Sequence, residues 1–254
     1  MLLVVRTIPF LLGVVTAGLL LLISVWPSLV LLLSILTVVG VIYGIGHLTG
    51  FGKDLEGWWH VAVTPVLFVI STIAFMLFVE SQILILVLPI AAGAFTFFFA
   101  EHLFRFVHLP SLYQPYALEH TSLVLHVASM FFLSTAFYGL QTFLQIPVWL
   151  LAIFFFAFSA MMVYETLWVS KIKDTKAVRV AVIGGLMFTE LFVVFSFLPT
   201  SFFVNAAAST LVFYVFLGIM RASFLQRLSK VVLKRYAMLG IFMLILLFVT
   251  ARWV

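Results

Sequence analysis

The chain has 254 residues, of which 66% are hydrophobic and 8% charged. A soluble domain is about 45 to 50% apolar and about 25% charged, so a soluble enzyme is excluded, and the net charge of +5 points to a lipid surface rather than to nucleic acid. The absence of Cys further excludes disulfides, thiolate nucleophiles and Cys-ligated metals.

Each crossing of a hydrocarbon core about 30 Å thick takes about 20 apolar residues. Long apolar runs without strict alternation favour helices over a barrel, because lipid supplies no partner for bare backbone. The fold class expected is all-α: a polytopic integral membrane bundle of about nine transmembrane helices, forming one domain over 1–254. The first span, about 7–25, follows Arg6, lacks a small-residue cleavage site and is expected to act as a retained signal anchor. The second, about 28–47, begins after Pro27 and carries Gly40-x-x-x-Gly44, a small-residue packing pattern. Its exit, Gly44 to Lys53, is rich in glycine but fits neither phosphate-binding glycine motif. The third and fourth spans cover about 61–79 and 83–101, and Pro89 followed by Ala91-Ala92-Gly93-Ala94 predicts a kink and a close helix contact.

The remaining spans fall at about 119–141, 147–169, 178–198, 202–220 and 236–253. Between the last two, a stretch at about 221–235 places Phe224, Leu225, Leu228, Val231 and Val232 on one face and Arg227, Lys230 and Lys234 on another. With Arg235 beside them and no acid present, this predicts a basic interfacial helix on anionic headgroups.

All but one of the 13 Lys and Arg residues fall on the side of the N-terminus and the even-numbered loops; Arg252 is the exception. The positive-inside rule therefore predicts a cytoplasmic N-terminus and an external C-terminus. Trp26, Trp58, Trp59, Trp149, Trp168 and Trp253 all lie at or near span ends, where indoles prefer the membrane interface. The expected location is a multi-pass position in a prokaryotic plasma membrane.

Glu190 stands out, about 18 Å along the seventh span and near the bilayer centre. With Glu165, it is a candidate intramembrane protonatable group, able to serve coupling or solute binding, or to fasten helices by hydrogen bonding. A second cluster near the cytoplasmic side comprises His47, Glu101, His102, Arg105, His108, Glu119, His120, His126 and Glu165. Glu119 and His126, seven residues apart, share a helical face. Glu and His side chains of this kind suit metal ligation or acid–base work, or else interfacial pairing with Arg105.

Within that cluster, Glu101-His102-Leu103-Phe104-Arg105 resembles half of the E-E-x-x-x-R motif of the CAAX-processing and bacteriocin-processing intramembrane proteases, and Tyr116-Ala117-Leu118-Glu119-His120 is similar to their F-x-x-x-H motif. Ala100 stands in place of the first Glu, Tyr116 in place of Phe, and no later His supplies the third motif. The resemblance implies a hydrolase with Glu101 activating water and His120 helping to bind metal, and His126 is the remaining candidate for that site.

Three functions follow as expectations. The first is a small permease-like or transport-associated protein for a small or lipidic solute, working through Glu190. The second is a metal-dependent intramembrane hydrolase at Glu101, His120 and His126. The third is a non-catalytic assembly partner for another membrane protein. No cofactor or resident metal is assigned, no nucleic acid is expected, and membrane lipids are the expected partners. The Phe residues, 30 in number, are expected to serve lipid contact and core packing.

Overall fold

A computed structural model describes residues 2–172 and 175–251, with residues 2–4 described by backbone alone. Lys173, Asp174, Arg252 and Trp253 lie outside the described residues.

Among the described residues there are nine α-helices, each long and apolar enough to cross a membrane, and no strand. They are α1 (Leu2–Val25), α2 (Val30–Leu48), α3 (Trp58–Met76), α4 (Gln82–His108), α5 (Ala117–Leu144), α6 (Val148–Val169), α7 (Thr175–Ser196), α8 (Phe202–Phe224) and α9 (Lys230–Thr250). Trp26 follows α1, Trp58 and Trp59 open α3, and Trp149 and Trp168 lie in the end turns of α6, as interfacial anchors should. The chain groups into two compact units, Met1–His126 and Val127–Val254, with the boundary inside α5.

In the first unit α1 packs most extensively on α4, then on α2. The α1–α4 contact is close because glycine faces glycine. A Cβ added at Gly93 would land on the Gly13 carbonyl oxygen and 2.6 Å from Ala17 Cβ, and one at Gly13 would sit 2.9 Å from the Gly93 oxygen. In lipid, where apolar burial gives helices no preference for one another, such backbone proximity is the main source of packing energy. The small residues after Pro89 thus form the close contact expected of them.

The Gly40-x-x-x-Gly44 pattern behaves differently. A Cβ at Gly44 would strike the Leu12 side chain of α1, whereas one at Gly40 meets nothing within 4 Å. Gly40 instead lines an open groove of about 360 Å³, mostly apolar, shared with Leu11, Val15 and Tyr43. Beyond α2 the chain turns through Gly50 and Gly52, whose φ values of +59° and +97° favour glycine. His108, at the end of α4, bonds the Leu48 carbonyl through Nε2 at 2.9 Å and ties the ends of α2 and α4 together.

In the second unit α6 packs on α7. A Cβ at Gly185 would approach Ala160 Cβ to 2.7 Å, and the Ser159 hydroxyl lies 3.5 Å from the Gly185 carbonyl oxygen it donates to. An aromatic stack fills the centre: Phe192 stacks on Tyr138 at 4.7 Å and on Phe155 at 4.6 Å between ring centroids. The Tyr138 hydroxyl is 3.1 Å from Ser209 Oγ, which itself donates to the Asn205 carbonyl. The Tyr138 hydroxyl also has the Phe192 carbonyl oxygen at 3.4 Å as an acceptor, so both buried hydroxyls are satisfied.

The stretch 221–235 is divided rather than forming one interfacial helix. α8 runs on to Phe224, Gln226 takes φ 55°, and α9 starts at Lys230 with Ser229 as its N-cap, accepting from Val232 N–H at 3.2 Å. A left-handed residue and a cap break the helix that the amphipathic spacing alone suggests.

Candidate functional site

The face that α7 presents is set by its small and aromatic residues. Ala177, Ala181, Gly184, Gly185, Phe188 and Phe192 are buried. At about 100° per residue, Glu190 lies half a turn around the helix from Ala181, and the structure places it on the exposed surface. Its neighbours along that surface are Val182, Ile183, Leu186 and Val194, each 44 to 63% exposed, with Phe197 just past the helix end. Glu190 makes no hydrogen bond or ion pair with any described residue. Along the helix it lies about 15 Å beyond Val180 and about 9 Å before the helix end at Ser196. A carboxyl group therefore stands near the middle of an apolar, outward-facing helix surface. Toward the N-terminus of α7 the surface becomes a shallow groove of about 510 Å³ lined by Thr175, Val178, Arg179, Val182 and Ile183.

Within the first unit, Glu101, Glu119, His120 and His126 differ in burial. On α4, Glu101 Oε1 accepts from Arg105 Nε at 2.8 Å, an i,i+4 pair with the acid on the favourable N-terminal side. His120 is exposed on α5, while Glu119 and His126 are buried. Neighbours in sequence at 119 and 120, about 100° apart on the helix, thus differ in burial. Among the described residues no group of three or more His, Asp or Glu side chains could hold a metal ion, so Glu101, His120 and His126 are not brought together for that purpose. Glu165 is buried on α6.

Glu119 instead belongs to a cap that sequence spacing did not reveal. The Tyr113 hydroxyl donates to Glu119 Oε2 at 3.1 Å and accepts from the Leu118 backbone N–H at 3.1 Å, satisfying one orphan donor at the start of α5. Burial, opposed by the Leu118 N–H and reinforced by the Glu119 charge, pushes the Tyr113 phenol from 10.0 up to about 12. An unfolded Tyr ionises first, so the stability contributed by this phenol is complete below pH 10 and lost as pH rises to about 12. Tyr113→Phe is expected to remove that alkaline sensitivity, to cost about 1 kcal/mol and to speed amide exchange at Leu118. Unchanged exchange at Leu118 would show that the cap contributes nothing.

Arg227, Lys230, Lys234 and Arg235 are all exposed. Lys230 and Lys234 occupy the first two turns of α9, where the helix dipole disfavours cations. An anion near that helix end would offset the repulsion.

No curated protein and no solved structure matches the chain. Residues 6–250, nearly the whole chain and all of the helices that carry Glu190 and the Tyr113 cap, match one family, described as protein of unknown function (DUF5656), and the chain belongs to that family.

Proposed function

We propose that this protein is a membrane-embedded assembly subunit whose outward α7 face, centred on Glu190, docks another transmembrane helix. The observation that carries this is a carboxyl within a helix long and apolar enough to cross a membrane, set on an exposed, otherwise apolar surface. Insertion scales charge about 2.5 to 3.5 kcal/mol for a charged side chain at a helix centre facing lipid. Covering the group with a hydrogen-bonding helix removes that cost, and polar contacts of this kind hold membrane helices together. The outward position favours assembly over transport, which needs Glu190 on a water-reachable path. Glu101, held by Arg105, and the exposed His120 likewise favour assembly over metal-dependent hydrolysis.

In the same proposal the protein lies in a prokaryotic plasma membrane, and the bias of Lys and Arg supports a cytoplasmic N-terminus. Arg227, Lys230, Lys234 and Arg235 then meet anionic headgroups, which supply the anion that the N-terminus of α9 calls for.

A photoreactive amino acid in place of Leu186, one turn from Glu190, tests the docking face in native membranes. Illumination is expected to give protein–protein adducts at Leu186 and none from the same probe at Ile153, which is 59% exposed on α6. Adducts to lipid alone at Leu186 would overturn the assembly function.

A further inference from the structure

We infer that the helix docked on this face is α7 of a second copy of the chain, with the two Glu190 side chains hydrogen-bonded to each other across a two-fold axis. The inference rests on the assembly function proposed above and names the partner. Three features carry it.

The first is periodicity. Ile183, Leu186, Glu190, Val194 and Phe197 follow one another in steps averaging 3.5 residues, and all five are exposed. A 3.5-residue seam is the geometry in which two parallel helices interdigitate, and a single polar residue within such a seam fixes register and subunit number.

The second is symmetry. Two copies inserted with the same topology are related by an axis along the bilayer normal, so their α7 helices run parallel and equivalent residues lie at the same depth. Glu190 then necessarily meets Glu190 at the centre of the seam.

The third is chemical complementarity. A carboxyl group that keeps its proton is both donor and acceptor, so a pair sharing at least one proton satisfies itself without help from another residue type. A different protein would instead have to supply a Lys, Arg or His at the same depth. Along the described part of α7 the basic residues, Lys176 and Arg179, fall at the end of the groove rather than at the level of Glu190. At that end the like charges of two copies face headgroups and water, which screen them and limit the seam to the apolar stretch from Ile183 onward.

The chain contains no Cys, so single cysteines can be introduced without removing any other. Leu186→Cys and Val194→Cys lie on the seam, and Ile153→Cys is the exposed control on α6. Under mild oxidation in native membranes, the two seam variants are expected to form disulfide-linked dimers of this chain and the control to form none. Added to Leu186→Cys, Glu190→Gln should preserve cross-linking, because paired amides also donate and accept, whereas Glu190→Ala should slow it by about tenfold. A cationic partner predicts the opposite for Gln, since an amide cannot replace a carboxylate beside a cation.

Failure to cross-link at both seam positions, with the photo-adduct at Leu186 mapping to a different protein, would overturn the second-copy inference and leave the assembly function intact. No protein adduct by either chemistry would overturn both. The seam cysteines leave Glu190 in place, so the test does not depend on Glu190→Ala remaining folded.

Discussion

Replacing Gly93 by leucine is expected to prevent the first unit from folding stably. The Gly93 Cα sits so close to α1 that even the first added carbon meets the Gly13 carbonyl oxygen and comes within 3.1 Å of the Ala17 backbone nitrogen. Flexible side chains can yield to such an intrusion, but helix backbone cannot without separating α1 from α4. Overpacking of cores costs about 1 to 3 kcal/mol even where side chains give way, so the leucine variant should lose about 3 kcal/mol or more. Alanine at the same position should already be destabilising. The comparison that isolates this effect is Gly40→Ala, because a Cβ there meets nothing within 4 Å. Alanine has the better helix propensity, so Gly40→Ala should be neutral or gain up to about 1 kcal/mol. Denaturation of the reconstituted protein distinguishes the two sites. Equal stability of the Gly93 and Gly40 variants would show that α1 and α4 do not touch through Gly93.

How far the sequence specifies this structure differs from one feature to the next. Helix number follows from apolar runs, and the helix ends marked by Trp and Pro fall close to their expected places, since both residues act locally. The extension of α4 to His108 escaped a hydropathy reading because Glu101 and Arg105 look like loop residues. Their i,i+4 pair instead carries the helix into the interface. The break near Gln226 escaped because amphipathic spacing says nothing about a residue adopting positive φ.

The face on which Glu190 lies is legible, indirectly, in the sequence. Ala177, Ala181, Gly184, Phe188 and Phe192 repeat at helical spacing as the small and aromatic side on which a helix packs, leaving Glu190 opposite. What spacing cannot disclose is which neighbour each face meets. His120 and His126 look alike in a string of letters, yet one is exposed and the other buried. Tyr113 offered no signal at all, because its partners lie across a turn whose path depends on Tyr116 adopting φ 65°.

The largest functional consequence concerns Glu190. An outward carboxyl is costly in a lone chain and useful in an assembly, so removing it relieves the free subunit and weakens the complex together. Interhelical polar contacts contribute about 1 to 2 kcal/mol in model peptides, which corresponds to roughly five- to thirty-fold weaker association for Glu190→Ala. Glu190→Gln should lose much less. Neither variant removes a hydrogen bond or ion pair to a described residue, so thermal stability of the separated subunit should not fall.

The measurement that tests this most directly is the particle mass of the protein extracted with its surrounding native lipid, compared between the natural sequence and Glu190→Ala at low protein density. One chain is 28.6 kDa. The outward face of α7 as an assembly surface predicts protein mass above that of one chain for the natural sequence and a shift toward a single chain for Glu190→Ala. A natural protein that is already a single chain, with no other protein in the particle, would contradict it.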